Sequence, residues 1–595
     1  MTSLNAEQKQ VGSDNYYEAL GVSRRDFLKG VALAGVTSGA GLGAMYFGYG
    51  ATVNEPVRVG VIGTGDEGGV LIGALNPEYI QVKAICDMRP YSQHRAFHGD
   101  WASDGTWAAR PGLMSVYDWK TEDEARKNVS VYSDYNEMLK DPNIEAVIIA
   151  TPLFMHAPMA IAAMRAGKHV LTEKLMAFDV GVCKDMSRVS QTEDLLLATG
   201  HQRHYSVLYD NAVNLIQWGL LGEIHHIRAQ WHRGNLPGRD SWKQPIPGGE
   251  VFADGKKRDE IRTRHERLQN ELKKTNLTPQ EVAKLEKQVA QWAAWNEDRS
   301  LKAEDYGYVA DVLSNGHNRS AMEELCRWRL WDRTGGGLMA ELGSHQLDAA
   351  SIFISALRRD GKKAHPLSVH AVGGRHIFPV DRDAHDHVYC TFEFPGPGYD
   401  PNEDPMHFGY KDPRTGVDAT KGIKSYDEDP NKRIVMTYSS INGNGYGGYG
   451  EVVLGTKGTL VLEREKEVML YKKEDTASRI SVKDDKGGPT MDSYETGASS
   501  AAAVAQAADT GPISRGYTEE MEHWAWCIRN RDPENQPRCK PEVALGDAVI
   551  ALACNVAMKN ASEGKGGYLQ FDEAWFDINS DATPDGSVPK EKANG

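Results

Sequence analysis

Cysteine is scarce in this 595-residue chain: seven residues, scattered, with no C-x-x-C pair. Such an odd, unclustered set argues against zinc or a redox motif and predicts buried thiols, with Cys86 inside a strand. Positive charge is also in deficit, with 68 Lys and Arg against 83 Asp and Glu and a formal net charge of −15. That argues against nucleic acid or an anionic membrane surface as a partner. Near the C-terminus, Asp577, Asn579 and Asp581 echo a calcium loop, but its central glycine and closing glutamate are missing.

The N-terminus has its own character. Ser23-Arg24-Arg25-Asp26-Phe27-Leu28-Lys29 precedes a glycine- and alanine-rich apolar stretch from Val31 to Gly50. Paired arginines before a mildly apolar run match a twin-arginine export signal, which predicts the twin-arginine translocon as a partner during export. Its many Gly and Ser residues weaken the reading as a transmembrane helix. Small residues occur at Gly41 and Gly43 and at Gly48 and Gly50, yet no A-x-A site stands out. A periplasmic or exported protein and one retained by its anchor both stay open.

What is present in force is glycine, and its placement matters most at Gly63-Thr-Gly65-Asp66-Glu67-Gly68. The loop follows Val57-Arg-Val-Gly-Val-Ile62, which reads as an unbroken buried strand, and precedes an amphipathic stretch and a second strand ending at Asp87. Strand, glycine loop, helix and strand closing on a carboxylate form the arrangement that holds a dinucleotide. The glycines permit the tight turn, the approach of the pyrophosphate and close helix packing. Asp87 sits about ~20 residues on, where an acid accepts from the ribose 2′-OH and repels a 2′-phosphate. NAD is therefore expected ahead of NADP, although Arg89 keeps NADP open.

From Val57 to about Gln202 strand and helix alternate, with strands at Val57–Ile62, Val82–Cys86, Val129–Tyr132, Ala146–Ala150, His169–Thr172 and Leu195–Thr199. This predicts an α/β fold whose N-terminal Rossmann dinucleotide-binding domain spans 55–202. Beyond it, alternating runs such as His387–Phe394, Ile434–Tyr438, Glu451–Leu454 and Thr459–Leu462 predict a second, α+β domain over 203–576 with a large, mostly antiparallel open sheet. Residues 97–120, with Trp101, Trp107 and Trp119, look inserted. So do 256–296, a charged helical hairpin whose second arm opens with the capping box Thr278-Pro279-Gln280-Glu281 and reads as a solvated decoration or subunit contact. A Gly, Ser and Ala-rich loop at 481–513 and a disordered polar tail over 577–595 complete the expectation.

Ligands of an open α/β sheet bind beyond the carboxyl ends of its strands. There the fourth strand offers Thr151, Pro152 and His156, and the fifth offers Glu173 and Lys174. A lysine so placed can bond a substrate hydroxyl and lower its pKa. A second cluster is Gly335-Gly336-Gly337-Leu-Met-Ala-Glu341-Leu-Gly343-Ser-His345-Gln-Leu-Asp348. If helical from Leu338, it sets Glu341, His345 and Asp348 on one face. His345 could act as general base, with a carboxylate raising its basicity. The same three could bind a divalent metal, but no fourth ligand is evident nearby and none is expected. Tyr205 and the tryptophans Trp101 and Trp107 are candidate substrate contacts, since an aromatic face stacks on the C–H face of a sugar.

Together these motifs resemble the glucose-fructose oxidoreductase / inositol dehydrogenase family (Gfo/Idh/MocA). The resemblance rests on Gly63–Gly68, Ala150-Thr-Pro152, Ala166-Gly-Lys-His-Val-Leu-Thr-Glu173-Lys174, Gly200-His-Gln-Arg203, Gly335–Asp348 and Gly455-Thr-Lys-Gly458. It implies a two-domain enzyme, commonly a homo-oligomer, whose Gly63, Gly65, Asp66, Glu67, Gly68, Asp87, Thr151, Pro152, His156, Glu173, Lys174 and Arg203 hold NAD. It further implies that Lys174, Glu341 and His345 work on a sugar or polyol hydroxyl. Two departures stand out: Leu175 replaces the family's proline after the lysine, and Glu341 replaces an aspartate. The expectation is an exported sugar or glycoside oxidoreductase with tightly held NAD(H). A redox-neutral glycosidase or epimerase, or a nucleotide-loaded scaffold without turnover, are the alternatives.

Overall fold

The structure is a computed structural model that describes residues 4, 6–21, 42–50, 53–252, 254–314, 316–358, 360–400, 402, 432–472, 479–485, 488–494 and 515–593. The Ser23–Lys29 motif lies outside the described residues, as does 495–513.

Six parallel strands form the first sheet: β1 (Val57–Ile62), β2 (Ile80–Cys86), β3 (Ser130–Tyr132), β4 (Ala146–Ile149), β5 (His169–Glu173) and β6 (Leu197–Gly200). Their order is β3-β2-β1-β4-β5-β6. β4 is buried throughout and β1 at every residue but Arg58, which explains their largely apolar, β-branched sequence. The strand order reverses between β1 and β4, and both strands end beside the glycine loop. This is the Rossmann arrangement the alternation predicts.

A second sheet has eight strands. From one edge they are Glu467–Lys472, Gly458–Glu463, Tyr449–Gly455, β7 (Ile224–His232), Arg433–Ile441, His387–Pro395, Ser368–Gly374 and Tyr568–Gln570. Only β7 and Arg433–Ile441 pair in parallel among the described strands, so the sheet is mixed but mostly antiparallel. Alternate residues of Arg433–Ile441 are buried, and helices Ser344–Ser355 and Pro541–Ser562 share the core beneath them. Helix Pro541–Ser562 is long and apolar enough to cross a membrane, but most of it is buried in this core.

Four features differ from the sequence reading, each through long-range packing. Helix Tyr517–Arg529, inside the span assigned to the second domain, returns to the first sheet. Its Met521, Trp524 and Ile528 share a core with Val57, Val59 and Leu71. The tail after Asp577 is ordered, because buried Lys184 donates to the Ser580 and Ala582 carbonyls and Arg188 to those of Ile578 and Glu591. Part of the 481–513 loop forms a hairpin, Arg479–Asp485 against Gly488–Tyr494. Finally, segments flanking the arginine pair dock on the body. Helix Ala6–Ala19 buries Tyr16 beside strand Glu467–Lys472, and Phe47 packs on Tyr205.

The helical hairpin forms as its capping box predicts, over Glu260–Leu272 and Pro279–Glu297. It is docked as well as decorative. Trp295 stacks on Tyr91 at 4.3 Å, and Asp298 pairs with Arg89 at 2.8 Å. All seven cysteines are free and buried.

Candidate active site

The site begins where β1 ends. Gly63 has φ 85°, and a Cβ there would lie 2.5 Å from the Ala150 carbonyl oxygen. A Cβ on Gly68 would come within 2.1 Å of the Gly63 carbonyl. Gly65 is different: nothing lies within 4 Å of where its Cβ would be. Two glycines thus shape the turn and the third leaves open space at a helix start, the cradle a pyrophosphate needs.

From this loop a cavity of about 1180 Å³ runs between the domains. Its nucleotide end is lined by Gly63, Gly65, Asp66, Glu67, Asp87 and Thr151, and its far end by Lys174, Trp231, Arg233, Trp242, Glu341 and His345. Asp87 accepts from the Thr64 and Arg89 amides at 2.9 Å each, which fixes its carboxylate at the β2 end. The Arg89 guanidinium is committed to Asp298, so the cation that could favour NADP is occupied. Burial would raise the Asp66 carboxyl, but Arg95 at 2.8 Å and Arg110 at 3.2 Å hold it well below its ordinary value.

Pro152, His156 and Glu173 also line the cavity. The two ring nitrogens of His156 lie 2.9 Å from the Leu175 and Thr151 carbonyls, so the imidazole ties the ends of β4 and β5 together. Burial, reinforced by Glu67, pushes Glu173 up to about 8. One of its oxygens accepts from the Lys174 amide and the other has no partner among the described residues. Burial thus favours the protonated form of Glu173, whose unpaired oxygen lies at the cavity wall.

Lys174 Nζ donates to the Glu341 backbone carbonyl at 2.7 Å. That bond brings the strand-end lysine within one helical turn of His345, across the domain boundary. The Lys174–Leu175 peptide is cis. Met339–Gly343 is a π-helical turn running into helix Ser344–Ser355, and this alters the predicted alignment. Glu341 turns its carboxylate to Arg329 at 2.6 Å instead of to His345. Burial would raise it, but Arg329 and Lys174 hold it at about 2. His345 lies well below the ordinary imidazole value, first through burial and then through the Lys174 charge. The sequence expectation that Glu341 raises its basicity is corrected: the ring is neutral because it is dry and next to a cation.

Several candidates fall elsewhere. Arg203 does not line the cavity. It is buried, paired with Glu451 at 2.9 Å and Glu465 at 2.8 Å, and donates to the His345 carbonyl at 2.6 Å. It therefore positions His345 rather than touching a cofactor. Tyr205 bonds to His523 at 2.7 Å in the core. Asp348 points away from the cleft to His204 at 2.9 Å and Lys363 at 3.2 Å, so Glu341, His345 and Asp348 do not converge on a metal. Asp348 and Asp547 do lie close enough to His204 to hold a cation, but Lys363 Nζ stands among them, 2.6 Å from Asp547. Trp101 and Trp107 face each other at 5.2 Å under Lys287, and Trp119 stacks on Tyr117, all outside the cavity. Loop packing used these aromatics first.

Aromatics that do line the cleft near His345 include Trp231, Trp242 and Tyr449, alongside Arg233, Arg329 and Arg515. Trp231 and Arg233 sit at the end of β7, a strand the alternation search passed over. A strand ending in Gln230-Trp-His-Arg233 was the one signal available.

Residues 57–201 match the family described as "Oxidoreductase family, NAD-binding Rossmann fold", GFO_IDH_MocA. The N-terminal domain is a Rossmann domain similar to the NAD-binding domain of that family. A glycosyl hydrolase family 109 protein of Solibacter usitatus is 29% identical over 215 residues, 35% of this chain and 46% of that protein. An uncharacterized oxidoreductase of Schizosaccharomyces pombe is 33% identical over 150 residues, 24% of this chain and 41% of that protein. The chain thus spans under half the length of these curated relatives. An aldose-aldose oxidoreductase from Caulobacter crescentus, solved with glycerol, overlays with a TM-score of 0.47 at 14% identity, over 87% of this chain and 100% of that one. The matched residues supply the nucleotide end of the cleft and Lys174; the rest of the far end is built by the chain beyond them.

Proposed function

We propose that the protein is an exported oxidoreductase that takes a hydride from a hydroxyl-bearing ring carbon of a sugar or glycoside. One observation carries the reading: Lys174 and His345, from different domains, face one cavity continuous with the glycine loop. Gly63–Gly68, Asp87 and the β4 and β5 ends would hold NAD, which would supply the hydride acceptor. His345, neutral in its dry setting, takes the hydroxyl proton. Lys174 bonds the same oxygen and stabilises the charge that develops on it. Arg203 fixes the His345 backbone, and Arg329 with Glu341 forms a neutral pair beside them. A lysine and an imidazole brought together in one cleft argue against a scaffold without turnover.

The names of the family 109 relatives favour a second reading, a redox-neutral glycosidase. In it the ring carbon is oxidised, the neighbouring C–H loses its proton, the leaving group on the next carbon departs and water adds in its place, and the ketone is reduced again. An epimerase would instead return the hydride or the proton to the opposite face. One experiment separates the two. The purified protein is denatured and its nucleotide identified by mass spectrometry, then native protein is given a glycoside panel while nicotinamide absorbance and free aglycone are followed. Absorbance change without aglycone supports the oxidoreductase, and aglycone without net reduction the glycosidase. Neither signal, with NAD present and no epimerised sugar formed, would overturn both.

Export is proposed on the Ser23–Lys29 motif alone, and Arg24→Lys with Arg25→Lys should leave the protein in the cytoplasmic fraction. Assembly as a homo-oligomer is proposed on the resemblance, and light scattering of the purified protein tests it.

A further inference from the structure

The far end of the cleft carries one cation with no counter-charge. Arg233 lies on the cavity wall just past β7, and its Nε is buried without a hydrogen-bond partner. Its neighbours are committed: Arg329 to Glu341, Arg515 to Glu465, and Lys174 to the Glu341 carbonyl. No carboxylate among the described residues comes within ion-pair distance of Arg233. Its guanidinium carbon lies 5.6 Å from the centres of both the Trp231 and Trp242 rings, so two aromatic side chains flank it and restrict its plane. Burial disfavours its charge more than nearby Glu341 supports it. A guanidinium with an unused donor in such a place costs free energy that no protein contact returns.

Charge counting points the same way. At this end Lys174, Arg233 and Arg329 surround the Glu341 carboxylate, which Arg329 pairs, while Asp66 and Glu67 act on Arg329 from the nucleotide side. Two positive groups remain. Lys174 answers the charge developing on the reacting oxygen, which leaves Arg233 for a charge the substrate already carries. The Trp231 ring centre is 5.3 Å from that of His345, so one aromatic ring separates the proton acceptor from the free guanidinium. A sugar ring laid along Trp231 would reach both.

We propose that the substrate is an acidic sugar, a pyranose whose carboxylate is held by Arg233 while a ring carbon on its other side faces His345. This rests on the hydride-transfer reading above and narrows its substrate class. A carboxylate accepts two parallel N–H bonds from a guanidinium. A neutral sugar leaves the guanidinium unpaired in a desolvated site, so discrimination follows from what is already buried. A sulfate ester offers a similar oxyanion and is the alternative source of the charge.

The test is calorimetric binding to the full protein with its nucleotide, using glucuronate, galacturonate, glucose, methyl glucoside and glucose 6-sulfate. Uronates are expected to bind about 10–100-fold tighter than the neutral sugars. Arg233→Met should erase that preference and Arg233→Lys should keep part of it. Equal binding of acidic and neutral sugars by wild type, or an unchanged preference in a folded Arg233→Met, overturns the inference. Should Arg233→Met fail to fold, a full uronate preference in Arg233→Lys overturns the claim that the fork matters, and a reduced one supports it. Tighter binding of the 6-sulfate than of either uronate overturns the carboxylate. Nicotinamide reduction by neutral sugars alone sinks this inference and leaves the proposed reaction standing; uronate binding that depends on Arg233 but never yields reduction does the reverse.

Discussion

At its nucleotide end the cleft is shaped by backbone: a turn at Gly63, open space at Gly65, close packing at Gly68 and carboxylates at strand ends. At its far end it is shaped by side chains brought from seven places in the chain: Lys174, Trp231, Trp242, Arg329, His345, Tyr449 and Arg515. The first end needs fixed spacing within one short stretch of sequence. The second needs only that distant segments meet, and many sequences satisfy that. A backbone-built site is therefore constrained in sequence and general in ligand, whereas a side-chain-built site is free in sequence and particular in ligand. The electrostatics follow the same division. At the nucleotide end Asp66 is neutralised by Arg95 and Arg110 and Asp87 is held by backbone amides, while at the far end Arg233 keeps its charge for what enters.

The largest break in this comparison comes from the glycine loop. Gly65→Ala meets no protein atom, so it should fold normally, yet its methyl occupies the open cradle. Nucleotide recovered from purified protein should fall to near zero with little change in Tm. Gly68→Ala, whose methyl lands on the Gly63 carbonyl, should lose both. Bound nucleotide retained by Gly65→Ala would mean that the pyrophosphate lies elsewhere.

At the other end, His345→Ala and Lys174→Met should each lower turnover by about 10²–10⁴-fold with nucleotide still bound. Their pH profiles carry more information. With His345 well below the ordinary imidazole range, activity should hold through pH 6 and fall only in more acidic buffer. Lys174 lowers that pKa, so its removal should move the residual acidic limb upward. Glu341→Gln leaves the Lys174–carbonyl bond intact and should be milder, because its carboxylate serves Arg329. A large downward shift of the limb in Glu341→Gln would restore the original expectation that Glu341 acts on the imidazole.

How much of this was legible follows the same line. The six strands of the first sheet, the helical hairpin and four strands of the second sheet can be read from hydrophobic period and caps, because each is a local pattern. β7 was missed although it is the centre of the second sheet, since its half-buried His and Arg residues blur the alternation. The tail read as disordered because its partners, Lys184 and Arg188, lie far back in sequence. The π-turn at Met339–Gly343 defeated a spacing argument that assumed α-helical geometry, and that sent Glu341 to Arg329.

A smaller effect belongs to Glu173. Its folded pKa, raised to about 8 from an unfolded value near 4.5, means the native state keeps a proton the unfolded chain has lost. Stability from this group is complete below about pH 4.5 and declines as pH rises toward 8. Glu173→Gln cannot ionise, so its Tm advantage over wild type should grow from pH 5 to pH 8 and then level off. A constant difference across that range would show that Glu173 titrates normally.

The smallest effect on the chemistry should come from the tryptophans that once looked like a substrate mouth. Trp101 is bound up in scaffolding: its indole donates to the His98 carbonyl at 2.9 Å and Lys287 Nζ sits 3.9 Å from its ring centre. Its backbone exchanges bonds with Gln291 and Gln288 of the inserted hairpin. Gln291 also reaches Asp100, and Asp100 shares Arg95 and Arg110 with Asp66. The path from Trp101 thus leads to the nucleotide end. Trp101→Ala should lower stability by roughly 1–3 kcal/mol, the usual range for a half-buried aromatic truncation, and weaken nucleotide retention slightly. The Michaelis constant for the sugar should not move. A raised Michaelis constant with unchanged Tm would place Trp101 at the substrate after all, and would mean that the far end of the cleft extends beyond the second domain's side chains.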